Sequence, residues 1–204
     1  MAGAESHTIT IGITGASGAI YAQTLLRLLD DDRRVKRVYV VITEAGLRLI
    51  STELDIVVSD AKKIPALLTG TVAKKIEYLQ NKDVGATVAS GSAVVDAMAI
   101  VPCSAGALGA IASGIANDLL TRAADVCLKE RRPLVLCLRE TPLNRVHLEN
   151  MLRAHDAGAT VMPAMPAFYY NPKKIDDIVE QFAHRVLAQL GLPHEKQYRW
   201  SGKP

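Results

Sequence analysis

No apolar run in this 204-residue chain reaches the roughly 18 residues that a membrane-crossing helix needs, and the N-terminus lacks a charged-then-apolar signal pattern. A cytoplasmic protein with no membrane partner is expected. Cysteine is scarce: Cys103, Cys127 and Cys137 lie in apolar surroundings with no CxxC and no metal-ligand spacing, so they read as reduced core residues. The five histidines are scattered and no HExxH occurs, so no metal is expected. Charge of one sign is also lacking. The net charge is +3, and Glu130 interrupts the densest basic cluster, Lys129 to Arg132, which argues against nucleic acid as a partner. Aromatic residues make up only 4 % of the chain, so the paired Tyr169 and Tyr170 and the single Trp200 stand out.

What is present is an alternation of short apolar strands with helical patterns. With 49 % hydrophobic and 22 % charged residues, the chain is long enough to bury one sizeable core, and residues 1–204 read as a single domain. Residues 1–7 form a lead-in. Strands are predicted over Thr8 to Thr14, Val35 to Ile42, Asp96 to Val101, Leu134 to Leu138 and Ala159 to Met162. Helices are predicted over Ala19 to Leu29, Glu44 to Glu53, Ala105 to Glu130, Asn144 to Ala157 and Lys174 to Leu190. The span from Lys62 to Lys82 has room for one small helix and an edge strand. Leu134 to Leu138, wholly apolar between Pro133 and Pro142, suits a parallel strand covered on both faces. The pattern predicts a three-layer α/β/α fold, Rossmann- or flavodoxin-like, with a mainly parallel sheet. Apolar stripes should bury Val146, Leu148, Met151 and Leu152 on one helix, and Ile175, Ile178, Val179, Phe182, Val186 and Leu190 on the last.

In such sheets ligands sit outside the carboxyl ends of the strands. Four strand ends carry suitable groups. Gly15-Ala16-Ser17-Gly18 turns the first strand into a helix, where a ligand's phosphate could approach free N–H groups at the positive end of the helix dipole. This is neither the GxGxxG fingerprint nor a P-loop, and glycines at such turns also serve tight packing alone. Thr43-Glu44 ends the second strand, and Glu44 keeps a dinucleotide binder open as an alternative. Ser104-Ala105-Gly106-Ala107 opens a further helix, with Ser104 as a candidate N-cap. Arg139-Glu140 leaves the strand that ends at Leu138; together they could grip an anion and move a proton, or simply form a surface ion pair. Arg122 and Lys129, seven apart, share a helix face, with Asp118 and Asp125 four residues before each as ion-pair partners. That helix should carry Lys129 to the sheet edge opposite Arg139, so a common anion site would need a second subunit. Residues 191–204 form a tail after Gly191 and Pro193, with Trp200 expected to dock on a neighbouring subunit.

Taken together, GASGAIYAQTLL, PCSxxxL, the block from Asn117 to Leu143, HLENML and PAMPAFYYNP resemble the UbiX-type flavin prenyltransferases along almost the whole chain. The resemblance implies an enzyme that joins the dimethylallyl group of dimethylallyl phosphate to reduced FMN at N5 and C6, without a metal. The product, prenylated FMN, would serve a UbiD-type decarboxylase. It implies FMN contacts at Gly15, Ala16, Ser17, Gly18, Thr43, Ser104, Ala105, Gly106, Ala107 and Arg139. It places the prenyl phosphate at Tyr169 and Arg185, with Arg122, Lys129, Ser90, Gly91 and Trp200 as further partners. Glu140 becomes the proton carrier, with Ser17 close to the flavin N5 and Glu53 as a second acid. A homo-oligomer with shared active sites, a dodecamer, is the implied assembly. Ala107 stands where relatives often have a hydroxyl, and Thr43 where serine is common. Flavin-dependent cysteine decarboxylases are the neighbouring alternative, but the 163–172 loop lacks their PxMNxxM pattern. A non-catalytic flavin carrier would leave the Arg139–Glu140 and Tyr169–Arg185 sets without a task.

Overall fold

The computed structural model describes residues 6–202. The lead-in residues 1–5 and tail residues 203–204 lie outside that range. The strands are β1 His7–Ile13, β2 Val35–Ile42, β3 Ile76–Gln80, β4 Ala97–Cys103, β5 Leu134–Leu138 and β6 Thr160–Val161, all parallel in the order β3-β2-β1-β4-β5-β6. β-Branched residues dominate β1 and β2, as a pleated buried surface favours.

The helices are α1 Ala19–Asp31, α2 Glu44–Leu54, α3 Ile64–Thr69, α4 Ala105–Ala112, α5 Leu119–Lys129, α6 Arg145–Asp156 and α7 Ile175–Gln189. They cover both sheet faces. Ile9, Ile11, Ile13, Val38 and Val40 pack under α1, α2, α3 and α7. The alternate residues Val41, Met98, Ile100, Leu134 and Leu136 pack under α4, α5 and α6. The result is the expected three-layer α/β/α fold. Gly12 lets Leu120 of α5 lie directly on β1, since an added Cβ would stand 3.1 Å from that side chain. Full burial of such a leucine contributes about 1.5–3 kcal/mol.

Several expectations need correction. The single helix from Ala105 to Glu130 is two helices, because Gly114 takes φ +68 and Asp118 starts α5 by accepting from Thr121 N at 2.9 Å. Asp118 is therefore a cap and not a partner of Arg122. Asp125 pairs with Arg122 at 3.0 Å, and Lys129 pairs with Glu130. β4 runs on through Pro102, and β6 is shorter than Ala159 to Met162. Ile175 is 70 % exposed at the start of α7. Val146, Leu148 and Leu152 of α6 also face outward, leaving Ala154 as the buried residue of that helix.

Candidate active site

The strand order reverses between β1 and β4, so their carboxyl ends flank the crevice in which this fold class places its ligands. The β1–α1 turn carries Gly15, Ala16, Ser17 and Gly18. Gly18 takes φ +117, a conformation that favours glycine, and a Cβ on Gly15 would stand 2.5 Å from that of Ala45. Close approach of α2 therefore fixes this turn.

The first two N–H groups at the start of α1, those of Gly18 and Ala19, are not free. Glu53, at the far end of α2, accepts from Gly18 N at 2.9 Å and Ala19 N at 2.8 Å. Partial loss of water pushes its carboxyl up, but the Ser17 hydroxyl, these two N–H groups and the Arg139 guanidinium outweigh that and hold it below the ordinary value. Arg139 Nε donates to Ser17 O at 3.2 Å, and Arg139 N donates to Cys103 O at 3.0 Å. The structure thus brings Ser17, Glu53 and Arg139 into one network. Glu140 follows at the same strand end, half-buried, with Oε1 accepting from Thr141 N at 3.0 Å.

With the start of α1 capped by a carboxylate, the open space at this edge of the sheet lies beside the neighbouring turns. An open pocket of about 290 Å³ is lined by Thr14, Gly15, Thr43, Ser104, Gly106 and Ala107, among others. Thr43 caps α2 by accepting from Gly46 N at 3.1 Å, and Ser104 caps α4 by accepting from Ala107 N at 3.2 Å. Each hydroxyl uses a lone pair on its helix and keeps its proton for an acceptor in the pocket. Two helix N-termini face the same space, and nothing lies within 4 Å of where a Cβ on Gly106 would stand. This donor set fits the phosphate and ribityl chain of a flavin mononucleotide. Thr14, Asn117 and Asp118 also line the pocket; the sequence marked Thr14 only as a strand end and placed Asn117 and Asp118 inside a helix, with Asp118 as an ion-pair partner rather than a pocket residue.

A second pocket, of about 310 Å³, is formed by the loop after β6 and by α7. It is lined by Tyr169, Tyr170, Gln181, Phe182, Arg185 and Tyr198, among others. The tail folds back to wall it. Gln181 Oε1 accepts from Tyr198 N at 2.9 Å, and its Nε2 donates to Lys196 O at 3.1 Å. Tyr169 lies 5.2 Å from the Tyr198 ring and 6.5 Å from that of Trp200. The described tail thus packs on its own chain, while Trp200 remains 61 % exposed. Tyr198 and Gln181 escaped the sequence reading because neither lies in a distinctive motif.

Arg122, Lys129, Ser90 and Gly91 meet elsewhere. Arg122 Nε donates to Ala89 O at 3.2 Å, Arg132 donates to Gly91 O at 2.6 Å, and Lys129 and Glu130 close over Gly91. This cluster rides on α5, whereas Arg185 rides on α7, on the opposite face of the sheet. One chain does not bring the two sets together. All three cysteines are buried. Burial pushes Cys103 up to about 12 and Cys127 to about 11, and raises Cys137 well above its ordinary value, so none offers a thiolate. Among the described residues no group of His, Cys, Asp and Glu could hold a metal, and no helix is long and apolar enough to cross a membrane.

The Flavoprotein family model matches residues 3–187. A flavin prenyltransferase UbiX from Pseudomonas aeruginosa is 43 % identical over 94 % of this chain and 93 % of its own. The fold is similar to a crystal structure of AnUbiX in complex with FMN and dimethylallyl pyrophosphate, with TM-score 0.85 and 36 % identity over 98 % of this chain and 100 % of that one. It is also similar to a dodecameric FMN-dependent UbiX-like decarboxylase from Escherichia coli, with TM-score 0.83 and 38 % identity over 96 % of this chain and 100 % of that one.

Proposed function

This chain belongs to the Flavoprotein family and, within it, to the UbiX-type flavin prenyltransferases, and from that premise we propose how its residues act. The reaction joins the dimethylallyl group of dimethylallyl phosphate to reduced FMN. When bound, the reduced flavin supplies the electron-rich N5 and C6 that form the new bonds to the prenyl carbons.

Thr43 and the Ser104–Ala107 turn hold the phosphate and ribityl groups, with Ala105 and Gly106 at the open start of α4. Gly15, Ala16, Ser17 and Gly18 set the edge of the flavin ring. Arg139, fixed to Ser17 O, lies beside it. Glu53 and Ser17 hold a proton network near N5. The cation of Arg185 and the hydroxyl of Tyr169 receive the charge that grows on the departing phosphate as its carbon–oxygen bond breaks. Glu140 protonates the phosphate and later accepts the proton released at the ring. The aromatic wall of Tyr169, Tyr198 and Trp200 keeps water from the allylic carbon and favours its positive charge.

Arg122, Lys129, Ser90 and Gly91 complete the phosphate site from a second subunit. Their position on the opposite layer from Arg185 supports this reading, as does the dodecameric state of the Escherichia coli structure. A cytoplasmic homo-dodecamer passing prenylated FMN to a UbiD-type decarboxylase is the arrangement we propose. The observation that carries the site assignment is the network of Ser17, Glu53 and Arg139 beside an open pocket of hydroxyl and helix-terminal donors.

Two substitutions test the roles. Glu140→Gln should retain flavin and lower kcat by about 10²–10⁴, the usual range for losing a positioned proton carrier. Arg185→Ala should raise KM for dimethylallyl phosphate by about tenfold or more, the loss expected for a hydrogen bond to a charged group. Normal kinetics for both in anaerobic turnover would overturn the assignment.

A further inference from the structure

β4 carries Pro102 inside the sheet, where a proline cannot donate to a neighbouring strand. The β1–β4 register runs from Ile9 opposite Ala97 to Gly12 opposite Ile100 and ends there, and the β4–β5 register shifts between Ile100 and Cys103. The sheet therefore weakens at the mouth of the crevice, where both flavin-facing turns begin.

Thr14 restores the connection through its side chain. Its Oγ1 donates to Pro102 O at 2.8 Å and accepts from Ser104 N at 2.8 Å, while its backbone N donates to the same Pro102 carbonyl at 3.2 Å. The residue is 1 % exposed, so no water replaces these bonds. The next residue on one side is Gly15, and the residue whose N–H it binds on the other is Ser104, the cap of α4. One hydroxyl thus sets the spacing and orientation of two turns that approach the cofactor from different strands.

We infer that Thr14 is a positioning residue for the flavin, tying the Gly15–Gly18 turn to the Ser104–Ala107 turn through a hydroxyl that must both donate and accept. This rests on the flavin prenyltransferase reading of the same pocket. Valine matches threonine in shape but can do neither, serine can do both, and alanine removes the group without adding bulk.

The test measures FMN affinity by quenching of flavin fluorescence, alongside far-UV circular dichroism, for wild type, Thr14→Val, Thr14→Ala and Thr14→Ser. Thr14→Val and Thr14→Ala should fold and bind FMN at least about tenfold more weakly, with an altered visible flavin spectrum, the scale expected when buried polar groups lose their partner. Thr14→Ser should restore both affinity and spectrum. Wild-type affinity in folded Thr14→Val or Thr14→Ala overturns the inference, and so does a Thr14→Ser variant as weak as Thr14→Val. If both hydroxyl-free variants are unfolded while Thr14→Ser is folded, the hydroxyl serves the fold and the positioning role is overturned. Wild type that binds no FMN would instead refute the flavin reading itself.

Discussion

Glu53 shows how a single side chain redirects a site. It closes the helix start that the glycine turn alone offers to a phosphate, and the proposed anion position therefore falls toward Thr43 and Ser104. Because its folded carboxyl titrates below the ordinary value, its contribution to stability is present above the unfolded pKa, near ~4.3. It is lost as pH falls through the lower folded value. Thermal unfolding followed from pH 6 to pH 3 should therefore show an acid loss that Glu53→Gln lacks in part, by about 0.3–1 kcal/mol for a carboxylate at a helix start. Equal acid slopes in the two proteins would contradict this. The pattern places Glu53 only at the end of a predicted helix, and its role came from resemblance. Nothing in spacing could show that a residue 35 positions on returns to Gly18. By contrast Arg139 was legible from the residues themselves, since a charge that follows a wholly apolar strand must emerge at the sheet's carboxyl edge.

At the scale of elements, the boundaries that were legible are those set by local chemistry. Gly191 ends α7, and Ser104 caps α4. The break between α4 and α5 was missed because Ala-rich residues on both sides favour helix, whereas the interruption depends on Gly114 and on Asn81, distant in sequence, which binds Leu120 N at 2.9 Å. The junction of α7 with the tail makes a further point. His184 is fully buried, stacked on His194 at 4.3 Å, and neither ring nitrogen has a hydrogen-bond partner. Burial first, then the charges of His194 and Lys196, lower its pKa, with Glu180 opposing. The unfolded chain takes up a proton near pH ~6.5 that the folded chain refuses until lower pH, so stability falls as pH drops through that window and then levels off. His184→Leu should flatten the fall in Tm between pH 7 and pH 5. A slope identical to wild type would show that His184 is not its source.

For the whole molecule, the layers and the mainly parallel sheet follow from patterns of period two and 3.6 and so were legible, whereas the strand order rests on pairing between distant segments, and the apolar stripe of α6, which periodicity assigns to the core, is not buried there. In the single chain Leu148 is 52 % and Leu152 is 59 % exposed. An isolated sequence cannot tell a face that packs on its own sheet from one that packs on another copy, because both need the same periodicity. The proposed assembly gives that stripe a partner in a second copy and joins the α5 cluster to the α7 pocket. Wild type should sediment as a large assembly, and Leu148→Asp combined with Leu152→Asp as a smaller species with unchanged circular dichroism. A double variant that sediments like wild type would remove α6 from the interface. All of these roles depend on prenyl transfer to the flavin. The most direct measurement is mass spectrometry of the flavin after anaerobic incubation of the purified protein with reduced FMN and dimethylallyl phosphate. A flavin heavier by one five-carbon unit is the predicted product, and unchanged FMN after incubation with active-site concentrations of protein would contradict it.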